Sequence, residues 1–346
     1  MRFYSLTISD PVSGLVYQPT ADGNNFTKVA GGSTFSSQVN GMNNPGALDI
    51  NFDIPVYPFN QPQGNSGIHV WGVGLGMISQ ASQLAGTNFV LSAGMAKGLP
   101  LATAQSAQAG ILTQGTIFQS YGNWQGNVQT LDLICNPGAL QTNQSIVFNW
   151  PVGVPLSVAL AATLNQAFPP PTYKQKLNIG NLVLSHSQPA FYDNFWQFAG
   201  YLANITRAAG VAAGFGASYP GVQITIIGNT IFAYDGTVAT TPTMLAFQDL
   251  IGQPTWIDPS TVNFKTVLRS DIAVGTTIKF PQGVQQPFAL TAPAAAVPGA
   301  SASSKTAFQG KFVVSEVHHF GTFRQSDADS WATAFSAVAA PALNNT

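Results

Sequence analysis

The chain is short of charge. Only 7% of its 346 residues are Asp, Glu, Lys or Arg, where an ordinary soluble domain carries roughly 25%. The formal net charge is -1. A near-neutral surface of Asn, Gln, Ser, Thr and backbone lacks the self-repulsion that keeps particles apart. A free monomer with such a surface tends to associate, whereas a subunit covered by neighbours has less need of charge. Charge-poor β proteins of the cell exterior share this composition, so composition alone leaves both classes open.

Other absences narrow the field further. The single cysteine, Cys135, excludes an intramolecular disulfide and with it a disulfide-stapled scaffold. It sits in the apolar run LDLICNP and is read as a small buried hydrophobe. No run of about 18 apolar residues occurs, so no membrane span is expected. The start, MRFYSLTISDP, alternates like a strand and lacks the apolar centre of a signal peptide.

Ionisable groups that could do chemistry are equally scarce, with four His and a combined 13 Asp and Glu. Acid–base catalysis needs such groups held close together. The one dense cluster is Glu316, His318 and His319. On a strand, Glu316 and His318 point one way and His319 the other, and no third metal ligand is adjacent. The cluster is read as packing or contact residues. Asp49 and Asp53 share a strand face, but no second acidic group supports a glycosidase pair. Gly72, Gly74 and Gly76 in IHVWGVGLGM lack the spacing of a dinucleotide loop and suit close backbone approach. Lys174 and Lys176 are the only close basic pair, which is no footprint for tight nucleic-acid binding. No catalytic, cofactor-binding or metal residue is assigned, no cofactor is expected, and the chain is expected not to be an enzyme.

What the sequence does contain is core material: 45% hydrophobic residues, with 23 Phe, 9 Tyr and 6 Trp. Residues 1–149 hold a series of alternating runs bounded by Gly, Pro, Asn and Asp, including RFYSLTI, SGLVYQP, ALDINFDIPVYPF, IHVWGVG, TNFVLSAGM, GILTQGTIFQSYGNW and NVQTLDLIC. SQASQLAG reads as a short helix among them. Residues 150–236 change in texture. Pro155 opens a helix whose Leu156, Leu160, Leu164 and Phe168 share one face. A second helix is expected to start near His186, Ser187 and Pro189, with a stripe of Phe191, Phe195, Phe198, Leu202 and Ile205. A hairpin, VQITIIG to IFAYDG, closes this α/β module. Residues 237–346 return to strands: TVNFKTVL, GTTIKFP, GKFVVSEVHHFGTF and SWATAFSAVA. TAPAAAVPGASASS between them reads as a low-complexity loop and PALNNT as a frayed tail. The fold class expected is β-rich α+β.

The C-terminal segment is the most specific. FQDLIGQPTWIDPSTVNFKTVLRSDIAVGTTIKFP followed by GKFVVSEVHHFGTFRQSDADSWATAFSAV resembles the last domain of tail hub proteins of long-tailed phages. The matching features are an "IG.P" entry, a "G..I.F" strand, then "G.F.V..V.H.G.F" and a terminal "SW.T.F.A". The helix PLSVALAATLNQAF, the aromatic helix and the hairpin fit the preceding module, and the stretch from FYSLTISDP to LICNPG is similar to the first barrel of such hubs.

This resemblance, to the central hub of contractile-tail baseplates, implies two tail-tube-like β-barrel domains, 1–149 and 237–346, with the α/β module 150–236 between them. It implies a structural virion protein, a homotrimer whose six barrels form a ring. The ring would join the six-fold tail tube to the three-fold spike around an axial channel that DNA crosses without specific binding. Implied partners are the tail tube or tube-initiator proteins, the spike and other baseplate subunits. The implied location is the tail baseplate of the virion, assembled in the host cytoplasm. Similar hubs occur in other contractile injection systems. Alternative readings are another tail structural protein, such as a tube initiator or a fibre-like binding protein, and a secreted carbohydrate-binding β protein with Trp71, Trp124 or Trp256 as sugar platforms.

Overall fold

A computed structural model describes residues 2–58, 60, 66–95, 108–137, 144–216, 219–227, 230–238, 240–258, 261–281, 308 and 310–340. The low-complexity stretch and the PALNNT tail lie outside these residues. Strands dominate. Among the described residues one sheet has 15 strands. Its main path starts at the short edge strand Thr255–Trp256 and runs through Thr261–Val267, Trp331–Ala339, Phe312–Thr322, Asp49–Val56, Ser66–Trp71, Val128–Pro137, Gly110–Gln125, Asn88–Met95, Arg2–Ser9 and Val16–Pro19 to Phe26–Val29.

Alternation dictates these strands. In Arg2–Ser9 the side chains of Tyr4, Leu6 and Ile8 are buried and their neighbours are not, the period of two that a half-buried strand requires. The same phase holds Ile50, Phe52 and Ile54 in the core and turns Asp49, Asn51 and Asp53 outward. A helix, Leu75–Ser79, and a 3-10 turn, Ala81–Leu84, occupy the place where a short helix was expected, and bury Met77, Ala81 and Leu84.

Among the described residues there are three hydrophobic cores. The first gathers strands from the N-terminal part around Tyr4, Phe52, Ile68, Leu91 and Leu131, and also takes in Leu268 and Trp331 from the C-terminal part. The second lies between residues 146 and 233. The third packs Val262, Phe264, Phe280, Phe312 and Phe335. The first and third are joined by backbone pairing, because Phe312–Thr322 lies antiparallel to Asp49–Val56, with Phe320 opposite Asp53 and Thr322 opposite Asn51. The N- and C-terminal strands thus form one sheet with a seam down its middle. At this seam Gly321 has no room for a side chain: a Cβ there would meet the Phe52 ring at 2.3 Å and Trp331 at 2.8 Å.

The α/β module contains the helix Leu156–Ala167, whose Leu156, Leu160 and Leu164, with Phe168 after it, are fully buried as their spacing requires. The second helix departs from expectation. Gln188–Tyr192 is a strand paired with Ile146–Trp150, and the helix starts only at Phe195. The reason is local. Asn194 is extended and its side chain accepts the Gln197 N–H at 3.0 Å, so the capping residue is Asn194 and not His186 or Ser187. Pro189 is accommodated because a two-stranded sheet leaves its strands a free edge. Phe191 therefore drops out of the helical stripe and faces outward, opposite the exposed Val147, while Phe195, Phe198 and Leu202 remain buried. The strands Gln223–Ile227 and Thr230–Tyr234 pair as an antiparallel hairpin, with Lys174–Asn178 alongside in parallel.

Candidate functional site

The outward face of the sheet at the seam gathers several of the chain's ionisable groups. In the strand Ser66–Trp71, Ile68 and Val70 point into the core, which turns His69 and Trp71 outward. Asp132 lies opposite His69 on the next strand. His69 Nδ1 contacts Asp132 Oδ1, and the other carboxylate oxygen accepts from Asn123 Nδ2 at 2.7 Å and Thr130 Oγ1 at 3.1 Å. Three donors thus satisfy a carboxylate that is otherwise buried. Asn51, directly opposite His69, accepts the indole N–H of Trp71 at 3.1 Å when its amide is oriented to satisfy both of its ends.

Across the seam the pattern continues. His318 Nε2 pairs with Asp53 Oδ1, tying the C-terminal strand to the N-terminal one through side chains as well as backbone. Lys265 Nζ meets Asp329 Oδ1 at 3.0 Å and lies over the Phe320 ring, 5.5 Å from its centroid. Glu316 follows on the same outward face. These groups line three shallow concavities of about 350, 440 and 300 Å3. Their charged lining among the described residues is Asp53, Asp132, Glu316, Asp327 and Asp329 against Lys265 alone. The lining of these concavities thus holds more carboxylates than cations, with Arg2 close by, donating to the Asp327 carbonyl.

His319 is the exception within the cluster. It points inward, is fully enclosed, and shares a 3.0 Å hydrogen bond between Nδ1 and Thr333 Oγ1. Burial, helped by the neighbouring His318, pushes its pKa down to about 3, so it is a neutral packing residue at ordinary pH. The expected split of Glu316 and His318 from His319 is thus present. The pairing of His69 with Asp132, and of His318 with Asp53, is not visible in the sequence, because the partners are 63 and 265 residues apart. The only trace of it is that each falls on the polar phase of an alternating run.

The remaining sequence candidates are dispersed. Asp49 and Asp53 share the outward face, but Asp49 Oδ1 accepts the Arg324 backbone N–H at 3.1 Å while Asp53 faces His318. Gly74 and Gly76 do permit close approach, of this chain's own residues 23–25: a Cβ on Gly74 would lie 2.5 Å from the Gly23 carbonyl oxygen. Lys174 and Lys176 lie on an exposed strand, with Lys176 over the Phe232 ring. Cys135 is buried, and desolvation raises its thiol pKa. Trp256 stacks on Phe308, whereas Trp124 is exposed on the hairpin Gly110–Gln125/Val128–Pro137 and Trp71 is half-exposed. Among the described residues no group of three or more His, Cys, Asp or Glu could hold a metal ion, and no helix is long and apolar enough to cross a membrane.

No protein-family model and no curated protein matches the chain. Solved structures do. An Escherichia coli component of the type VI secretion system, described as structurally similar to T4 bacteriophage tail proteins, aligns over 87% of this chain and 76% of its own, with 8% identity and a TM-score of 0.46. A tail protein from Neisseria meningitidis aligns over 84% and 96%, with 10% identity and a TM-score of 0.45. A tail protein of a Shewanella oneidensis prophage aligns over 85% and 98%, with 7% identity and a TM-score of 0.44.

Proposed function

We propose that this chain is a tail structural protein, the central hub of a contractile-tail baseplate. It acts as a homotrimer that joins a six-fold tube to a three-fold spike, and the acidic seam face lines an axial channel through which DNA passes. On this reading the N- and C-terminal strand sets act as two tube-like barrels, with the α/β module between them on the outside of the ring. Partners are the tube or its initiator, the spike and neighbouring baseplate subunits, and the chain works in the virion after assembly in the host cytoplasm.

One observation supports the channel reading: the sheet is continuous across the seam, and the concavities on its outward face are lined by five carboxylates and one lysine, with Arg2 beside them at Asp327. Such a face repels phosphates, where a row of Lys and Arg would hold them by counterion release. The hub motifs in the C-terminal segment and the low charge of the whole surface support the same reading. A chain that buries its flanks against copies of itself forms an obligate interface, typically of 2,000 Å2 or more, and cyclic closure leaves no unpaired ends.

The test is the native mass of the purified protein by light scattering. The reading requires a species of three 36.3 kDa chains that persists on dilution. A stable monomer that is retained on a glycan column supports the carbohydrate-binding alternative instead.

A further inference from the structure

The hairpin formed by Gly110–Gln125 and Val128–Pro137 exposes four large apolar side chains towards its tip: Phe118 at 71%, Trp124 at 63%, Val128 at 45% and Tyr121 at 41%. Phe118 is thrown outward by a bulge, since the register shifts between Ile117, buried opposite Cys135, and Gln119. Tyr121 lies opposite Asp132, and Val128 opposite Gln125, on the outward face of the sheet. Trp124 has the other parity and points to the opposite face, where its indole N–H donates to the Gly126 carbonyl at 2.7 Å. The tip is therefore apolar on both faces. A sheet that is apolar on one face is covered by a single layer, but a two-faced tip is covered only when it enters a cleft.

The edge of this hairpin is also open. Gly110–Gln125 pairs with Asn88–Met95 only as far as Thr116. Ile117 and Ser120 still bond to the turn beside them, Ile117 N–H to the Thr87 carbonyl at 2.9 Å and Ser120 Oγ to the Ala81 carbonyl at 2.7 Å. Gly122 packs against Ile78. Past Gly122, among the described residues, Val128–Pro137 is the only strand beside it. Exposed edges are ordinarily blunted by Lys or Pro. Here there is neither: no charged residue occurs between Lys97 and Asp132, and no proline from Gly110 to Gln129.

We propose that this tip inserts into the neighbouring copy of the same chain and is the contact that holds the ring together. The inference rests on the homotrimer reading and names its surface. Charge selects the occupant. A cleft that takes an uncharged aromatic tip must itself be free of unpaired charge, because a buried ion without a counter-ion is costly. The chain's own surface meets that condition, with 7% of its residues charged. Area fits as well. Covering Phe118, Tyr121 and Trp124 removes about 300–400 Å2 from water, close to half of the ~800 Å2 that each partner gives to a stable interface. In a cyclic trimer each copy inserts one hairpin and receives one, so both halves of the contact are present on every chain.

The experiment is light scattering on the full-length protein over a dilution series. It compares Phe118→Lys plus Trp124→Lys with Val12→Lys plus Val158→Lys, which adds the same charge at exposed positions elsewhere. The parent and the control stay trimeric. The hairpin variant dissociates at a concentration at least about thirtyfold higher, the effect of losing a buried hot-spot aromatic, and its far-UV circular dichroism matches the parent's. Phe118→Gln plus Trp124→Gln does the same without adding charge, so a Lys variant that fails to fold does not decide the matter. A trimeric parent whose Gln variant dissociates at the same concentration overturns the contact and leaves the homotrimer standing; the tip then belongs to a different baseplate subunit. A parent that is monomeric at about 100 μM, far above the range in which an obligate assembly dissociates, refutes the homotrimer and this contact with it.

Discussion

Trp331 donates its indole N–H to the carbonyl of Gly94 at 3.0 Å, a bond that joins residues 237 positions apart. The indole is 1% exposed and packs edge-on against Phe52, 5.2 Å between ring centroids. A residue near the end of the chain thus completes the core built by its beginning. Truncating it leaves a large cavity and an unpaired carbonyl. Trp331→Ala should cost about 3–5 kcal/mol, and urea unfolding followed by Trp fluorescence and by far-UV circular dichroism should still give one coincident transition. Two separate transitions would show that the N- and C-terminal strands fold independently.

His319 makes stability depend on pH. Its folded pKa is depressed from 6.5 to about 3 by burial. The unfolded chain therefore takes up a proton through pH 6.5 that the folded chain refuses until about pH 3. The stabilisation is fully present above pH 6.5 and is lost as pH falls through that window, with a slope approaching about 1.4 kcal/mol per pH unit. His319→Gln keeps a polar partner for Thr333 and should flatten the slope between pH 6 and 4, measured by urea midpoints at each pH. An unchanged slope would mean that another group titrates there.

Arg269 is buried with two carboxylates: Nη1 meets Asp249 Oδ2 at 3.1 Å, and Nη2 meets Asp271 Oδ2 at 2.6 Å. Gln108 Nε2 also reaches Asp249, at 3.3 Å, and the Ser270 N–H donates to the Gln108 carbonyl at 2.8 Å. The triad therefore pins the segment after Thr261–Val267 to the N-terminal part. Arg269→Met strands the carboxylates and should cost about 3–5 kcal/mol. Adding Asp249→Asn should recover part of that loss in a thermal melt. Additive losses would argue against a coupled triad.

Reversing charge on the seam face should create DNA binding. The side chains of Asp53 and Asp329 are 69% and 67% exposed, so Asp53→Lys with Glu316→Lys and Asp329→Lys should leave the melting temperature within a few degrees of the parent. The variant should shift duplex DNA in a gel at about 50 mM salt and release it by about 200 mM, while the parent binds at neither. Equal mobility shifts for parent and variant would remove the electrostatic argument for the channel.

Local structure was legible wherever the pattern was local. The alternation of Tyr4, Leu6 and Ile8 defines a strand, and the four-residue spacing of Leu156, Leu160, Leu164 and Phe168 defines a helix face. Phe191 was misread because it sits four residues before Phe195, a spacing that mimics a helical stripe across the Asn194 cap; only its pairing with Val147 reveals a strand. The seam was not legible. Which strand lies beside Asp49–Val56 is decided by packing between the two cores, and nothing near Asp53 in sequence encodes that Phe320 lies opposite it. The acidic face was hidden for the same reason: Asp53, Asp132, Glu316 and Asp329 read as scattered carboxylates until the sheet brings them to one side.

Electron cryo-microscopy of the purified protein, alone and in the presence of candidate tube and spike proteins, tests the account most directly. The account predicts three copies around a central hole, with Asp53, Glu316 and Asp329 facing that hole and Lys174 and Lys176 away from it. A single chain surrounded by solvent, or a ring whose hole is lined by other residues while the seam face looks outward, would contradict it.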